Sequence, residues 1–215
     1  MASKKVTIID YGVGNLLSVK RALEHCGATV EITSDSLRIL KADKLILPGV
    51  GAFPVAMDFL NDLKLVNPIQ DYSSSGRPLL AICLGMQLLL EESSEFESTI
   101  GLGIIPGKVI PIPSFSETEP MLKIPHIGWS SINPSEDNSG WKESALACTN
   151  AGDSFYFVHS FMTQTKDPAD TIATARYGWN DIPAVINKNN VLGLQFHPEK
   201  SGDNGLTILK EFLER

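Results

Sequence analysis

Three side chains of this sequence could carry chemistry together: Cys83, His197 and Glu199. Cys83 follows the apolar run Pro78–Ile82, and Leu84-Gly85 then makes a tight corner before Met86–Glu92, which reads as a helix. A strand that turns sharply into a helix, with its nucleophile at the corner, is a nucleophile elbow. There the helix N-terminus favours thiolate over thiol. His197-Pro198-Glu199 follows the apolar stretch Val191–Phe196. In an extended segment, residues two apart share a side, so Glu199 is expected beside His197, fixing its tautomer. Nucleophile, base and orienter in the order Cys, His, Glu are what acyl transfer requires. Each piece has a plainer reading: a buried cysteine is usually a small apolar side chain, and His-Pro-Glu can be a strand-terminating turn.

A third element favours chemistry. Leu47-Pro48-Gly49-Val50-Gly51-Ala52-Phe53 falls at the C-terminal end of a strand, the edge where open α/β sheets place their ligands. Gly49 and Gly51, flanking Val50, let the backbone approach a substrate. The amide of Val50 or Gly51, with that of Leu84, could form an oxyanion hole worth about 3 kcal/mol per donor. The bland reading of the same residues is a strand-to-loop turn.

The elements that must position these groups follow from apolar patterning. Strands are expected at Val6–Asp10, Thr29–Thr33, Lys44–Leu47 and Pro78–Ile82, with helices at Leu16–His25, Pro54–Leu63 and Pro68–Ser73. Short apolar strands separated by helices mean a parallel sheet covered on both faces. The second half changes style. Proline- and turn-rich segments (Pro106–Pro125, Asn133–Gly140) separate β runs at Lys108–Ile112, Phe155–Val158, Thr171–Arg176 and Val191–Phe196, and Leu206–Leu213 reads as a closing helix. The expected fold is a single α/β domain over residues 1–215. Its open, flavodoxin-like sheet is mostly parallel, has helices on both faces and carries an antiparallel β elaboration in the second half.

Composition excludes several classes. The 215 residues are 43% apolar and 20% charged, with a net charge of −7, so neither nucleic acid nor an anionic membrane is an expected partner. The acidic stretch Glu91–Glu97 reads as a solvated loop. No apolar run is long enough for a membrane span and no secretory leader is expected. The three cysteines, Cys26, Cys83 and Cys148, are an odd, widely spaced set. They read as free thiols in a reducing, cytoplasmic compartment. No Cys/His cluster has metal-ligand spacing, so neither metal nor cofactor is expected. Gly12-Val13-Gly14, with Glu31 on the second strand, is half of a dinucleotide fingerprint, but Leu17 stands where the third glycine belongs. Asn15 reads as a helix cap, and His25 as structural.

The motifs Pro48-Gly49-Val50-Gly51, Cys83-Leu84-Gly85-Met86-Gln87 and His197-Pro198-Glu199 resemble those of the class I (triad) glutamine amidotransferases. Four further stretches narrow the resemblance to the glutaminase subunits of imidazole glycerol phosphate synthases: Asp10 to Leu16, Pro125 to Trp129, Phe157 to Ser160, and His197 to Ser201. The resemblance implies that Cys83 attacks the side-chain amide of glutamine, releasing glutamate and ammonia. The ammonia would pass, within a heterodimer, to a (β/α)₈-barrel cyclase that makes imidazole glycerol phosphate and aminoimidazole carboxamide ribotide in histidine biosynthesis. It implies further that Gly49, Gln87, Ser160 and Phe161 contact the substrate. His126, Trp129, Tyr156 and Lys200 would lie on the cyclase-facing surface around the ammonia exit. The sequence departs from the family at Ala81, where glycine is usual, and at Ser130, where asparagine is usual. Other readings are a paralogue feeding a cyclase-like partner in amidino-sugar or surface-polysaccharide synthesis, a non-catalytic scaffold, and a free peptidase or hydrolase.

Overall fold

A computed structural model describes residues 4–135 and 141–215. The first half runs β1 (Lys5–Ile9), α1 (Leu16–His25), β2 (Thr29–Thr33), α2 (Ser36–Lys41), β3 (Leu45–Leu47), α3 (Phe53–Asp62), α4 (Val66–Ser73), β4 (Leu79–Ile82) and α5 (Leu84–Leu88). After it come β5 (Glu92–Ser93), β6 (Thr99–Ile100), β7 (Gly107–Pro111), β8 (His126–Pro134), β9 (Ser154–His159) and β10 (Phe161–Thr165). The chain continues with β11 (Thr171–Tyr177), β12 (Asn180–Lys188), β13 (Val191–Leu194) and α6 (Gly202–Leu213).

Nine strands form one sheet in the order β2-β1-β3-β4-β13-β12-β11-β8-β9. The first five are parallel, in the flavodoxin-like order, and the remaining four continue it antiparallel. All four residues of β4 and of β13 are buried, as strands covered on both faces require. One core lies under α1 and α6 with Trp141 and Leu146; the other lies under α3, α4 and α5. A second, four-stranded sheet, β10-β7-β5-β6, covers part of that face. No helix among the described residues is long and apolar enough to cross a membrane.

The expected helix Met86–Glu92 ends instead at Leu88. The last carbonyls of the turn are taken by a distant segment: Leu102, Ile105 and Gly103 donate to Leu88, Leu89 and Leu90 at 2.9 to 3.0 Å. Glu92 and Ser93 then pair with β7. That tertiary competition has no local sequence signature. Strands β8 and β12 were also outside the expectation, because β8 buries His126 and Ile132 among serines and β12 carries Pro183 in its interior. Asn133 and Pro134 belong to β8; residues 136–140 of the expected turn-rich segment lie outside the described residues. Asn15 occupies the cap position of α1 without a side-chain cap bond, whereas Asp35 caps α2 through Leu37 and Arg38. Glu31 pairs with Arg38 and Lys5 on the surface.

What matters for the site is the carboxyl edge of the parallel strands, where β3, β4 and β13 end side by side. The register aligns Leu47 with Ala81 and Ile82 with Leu194. The start of α5 packs so closely on the end of β3 that a Cβ on Gly85 would sit well inside contact with the Leu47 carbonyl. Gly85→Ala is therefore expected to lower stability by about 2 kcal/mol. A denaturant melt of the variant with an unchanged midpoint would show that the elbow has slack that the packing denies.

Candidate active site

Cys83 leaves β4 at φ 55° and ψ −110°, a conformation that L residues avoid and that costs about 1–3 kcal/mol. Two bonds hold it there. Its amide donates to Leu194 at 2.7 Å, extending the β4–β13 ladder by one residue, and its carbonyl accepts from Gln87 at 3.3 Å. Cys83 is 6% exposed. Its sulfur lies 3.9 Å from the Val158 carbonyl and 3.8 Å from the Gln195 side-chain nitrogen.

His197 arrives from β13. Its amide donates to Tyr156, and its carbonyl accepts from Ser201 Oγ, which itself accepts from the Tyr156 amide. The Nδ1 lies 2.8 Å from Glu199 Oε1. The pairing matches the expectation but the local geometry does not: Pro198–Lys200 is a single 3₁₀ turn, so Glu199 reaches His197 by a turn rather than by strand alternation. Burial opposes a charge on His197, but the nearby sulfur of Cys83 and the hydrogen bond and charge of Glu199 outweigh it and push its pKa up to about 10. The Nε2 is buried and makes no hydrogen bond. Ring and sulfur thus interact electrostatically across a gap not closed as a hydrogen bond, a separation common in catalytic pairs before substrate binds.

Cys83 and His197 line a cavity of about 410 Å³ together with Val50, Gly51, Leu84, Gln87, Glu95, Ser160 and Phe161. Gly49 does not line it. A Cβ there would meet Tyr11 Oη at 2.7 Å and the Gly85 nitrogen at 2.8 Å, so Gly49 is a close-packing residue. Tyr11, fully buried, donates to the Pro48 carbonyl at 2.7 Å and tethers the 48–51 loop. Burial, with the charge of Cys83, raises its pKa and keeps it neutral. The carbonyls of Ser160 and Phe161 are occupied within the protein, by the Ile112 amide and by Gln87 and His159.

Sequence reading missed Glu95. It sits in the acidic stretch taken as solvated, yet it is 8% exposed and accepts from the Phe53 amide at 2.7 Å. Burial raises its pKa, against the pull of that bond. Its only sequence signal is its place among four glutamates between positions 91 and 97 and the serines around them, which point to solvent.

Of the residues expected on a partner-facing surface, Trp129 is 58% exposed beside Ile127, and it meets Tyr156 edge-on. Lys200 lies over the Tyr156 ring. His126 is a correction. It is 2% exposed, stacked on Tyr177 and Phe157, and hydrogen-bonded to His159 and Ser130. Strand alternation turns it inward where its neighbours Ile127 and Trp129 turn out.

A strained cysteine, a histidine held by a buried carboxylate, and a cavity that the cysteine and histidine both line are the parts of a thiol-dependent acyl-transfer site. The match to known proteins gives it a family: the model for glutamine amidotransferase class-I covers residues 7–215, and the chain belongs to that family. It is 45% identical over 209 residues to imidazole glycerol phosphate synthase subunit HisH 1 of Legionella pneumophila (strain Lens), covering 97% of this chain and 98% of that protein. To subunit HisH of Methanosarcina barkeri it is 46% identical over 215 residues, covering 98% of each. Among solved structures it superposes on PurLQS from Thermotoga maritima with a TM-score of 0.72 at 18% identity, covering 98% of this chain and 97% of that one. A further glutamine amidotransferase superposes with a TM-score of 0.71 at 16% identity, covering 98% and 99%.

Burial depresses the pKa of His126 to about 4 and that of His159 to about 3. In the unfolded chain both titrate near 6.5. On acidification the unfolded state therefore takes up protons first, and stability is lost as pH falls from about 6.5 towards 4. His126→Phe, which keeps a ring between Tyr177 and Phe157, should make the thermal midpoint fall less steeply across that window. An equal slope in variant and wild type would rule out a neutral buried His126.

Proposed function

We propose that this chain is the glutaminase subunit of an imidazole glycerol phosphate synthase, acting as one cytoplasmic domain in histidine biosynthesis. The observation that carries this reading is that Cys83 and His197 line one cavity, with Glu199 bonded to His197 behind it, in a chain that shares nearly half its residues with HisH subunits over nearly its full length. Cys83 Sγ attacks the carboxamide carbon of glutamine. The oxyanion is stabilised by the Leu84 amide and that of Val50 or Gly51, developing charge where fixed dipoles await it. His197, held by Glu199, gives its proton to the departing ammonia, leaving a thioester. It then takes a proton from water, which attacks the thioester and releases glutamate.

The other lining residues supply recognition. Both hydrogens of Gln87 Nε2 are committed to Phe161 O and Gln195 Oε1, so Gln87 presents its carbonyl oxygen to substrate. Glu95 places a carboxylate in the cavity for the α-ammonium group. The exposed Ile127 and Trp129, with Lys200 close by, form the face against which a (β/α)₈-barrel cyclase docks and receives ammonia.

The test uses the chain in complex with its cyclase. Cys83→Ala should abolish glutamine-dependent synthesis while leaving synthesis from ammonium salts intact, because the second reaction belongs to the partner. Loss of both activities, or retention of the glutamine-dependent one, would overturn the assignment. His197→Ala should lower glutamine turnover about 10⁴-fold, the cost of removing a triad base. A tenfold loss or less would make His197 structural.

A further inference from the structure

One buried side chain beside the sulfur has no part in the mechanism above. Gln195 is completely buried between β13 and His197, and its side-chain nitrogen lies 3.8 Å from Cys83 Sγ. Which end of a glutamine amide faces a neighbour must be settled by hydrogen-bond logic, and here a backbone carbonyl settles it. Phe161 O can only accept, so the Gln87 atom 3.1 Å from it must be the NH₂ group. The same NH₂ lies 3.0 Å from Gln195, whose facing atom must then be oxygen. The other end of Gln195, aimed at the sulfur, is therefore its NH₂.

The logic runs outward from the same carbonyl in the opposite direction. His159 Nδ1, 2.8 Å from Phe161 O, must carry its hydrogen. Its Nε2 is then bare and accepts from His126 Nδ1 at 3.1 Å. His126 Nε2 in turn accepts from Ser130 Oγ at 2.9 Å. Neither histidine can become charged without breaking this order, which agrees with the low pKa that burial gives both.

We propose that Gln195 is a catalytic hydrogen-bond donor that favours the thiolate form of Cys83, its amide aimed by a chain of hydrogen bonds anchored on the Phe161 carbonyl. The proposal rests on the glutaminase reading and deepens it. A hydrogen bond to an ionised acceptor is about twice as strong as one to a neutral group, so the donor stabilises the thiolate selectively. The Val158 carbonyl at 3.9 Å accepts from the thiol and works the other way. The titratable groups facing the sulfur are His197 from the turn after β13, Tyr11 from the loop after β1, His159 from β9 and Glu95 across the cavity. Of these, Tyr11 and His159 are neutral, and His197 is the cation. Gln195 supplies a donor whose state does not change as His197 gives a proton to ammonia and then takes one from water, so it still faces the sulfur when the sulfur leaves the second tetrahedral adduct as an anion.

The test measures carbamidomethylation of Cys83 by iodoacetamide in the full chain, from pH 6 to pH 10, read by peptide mass with Cys26 and Cys148 as internal references. Gln195→Met keeps the bulk and removes the donor. Its rate at pH 7 should fall about tenfold, and its rise with pH should move upward by about one unit. Gln195→Glu restores an acceptor for Gln87 but turns an oxygen towards the sulfur. At pH 8 it should react more slowly still, which covers the case in which the methionine variant does not fold. Wild-type rates throughout the profile in either folded variant would overturn the proposal. The underlying glutaminase reading is judged separately: wild-type enzyme fully alkylated at Cys83 that still hydrolyses glutamine would sink that reading, whatever Gln195 does.

Discussion

The site depends on the parallel pairing of β4 with β13. These strands are far apart in the chain, yet their register brings Ile82 opposite Leu194, and the Cys83 amide makes the next ladder bond to Leu194 itself. The nucleophile is thus the first residue, and the base the third, beyond the ends of two adjacent buried strands. Everything else adjusts to that pairing. The close approach of Gly85 to β3 forces the turn that gives Cys83 its positive φ, and Gly205, against the Pro198 carbonyl, seats the turn carrying Glu199 on the start of α6. Strain of about 1–3 kcal/mol at one residue is tolerated because sheet and helix both fix its neighbours.

Electrostatics then divide the histidines near the cavity by role. His197 has a buried carboxylate on one side and a sulfur on the other, and both favour the imidazolium. His159 and His126 have only a carbonyl, each other and a serine, and they stay neutral. Two kinds of histidine a few residues from one sulfur need no difference in exposure, since all three are almost fully buried. Partners decide. A neutral histidine keeps its hydrogen-bond direction, which suits a group that positions others, whereas a charged one can release a proton at the step that needs it.

The sequence was most legible where one element decides its own fate. The parallel half of the sheet, helix α1, strand β2 and the elbow all follow from apolar runs, glycines and spacing, because strands buried on both faces are nearly continuous in apolar residues. It was least legible where distant partners compete. The end of α5 is set by residues 102 to 105, and β8 and β12 become strands because neighbours supply their ladders. The grouping of Cys83, His197 and Glu199 was readable from motif order. Glu95 was not, because an acidic stretch is by composition a surface, and only tertiary structure turns one of its four glutamates inward.

Strand β8 joins these two levels. Its residues alternate, so Ile127 and Trp129 face outward while His126 and Ser130 face the network that ends at Gln87 and Gln195. Any shift of β8 along or across the sheet must either stretch the bonds of His126 or carry His159 with it, and His159 holds the Phe161 carbonyl. A rigid hydrogen-bonded chain passes displacement on where a purely apolar contact would slip. A displacement applied at Trp129 therefore reaches the cavity through the inward face of the same strand. Ser130, next to Trp129 in the strand, is the outermost member of that chain. A hydroxyl there can rotate to follow His126, whereas a planar amide would have to be turned as a unit.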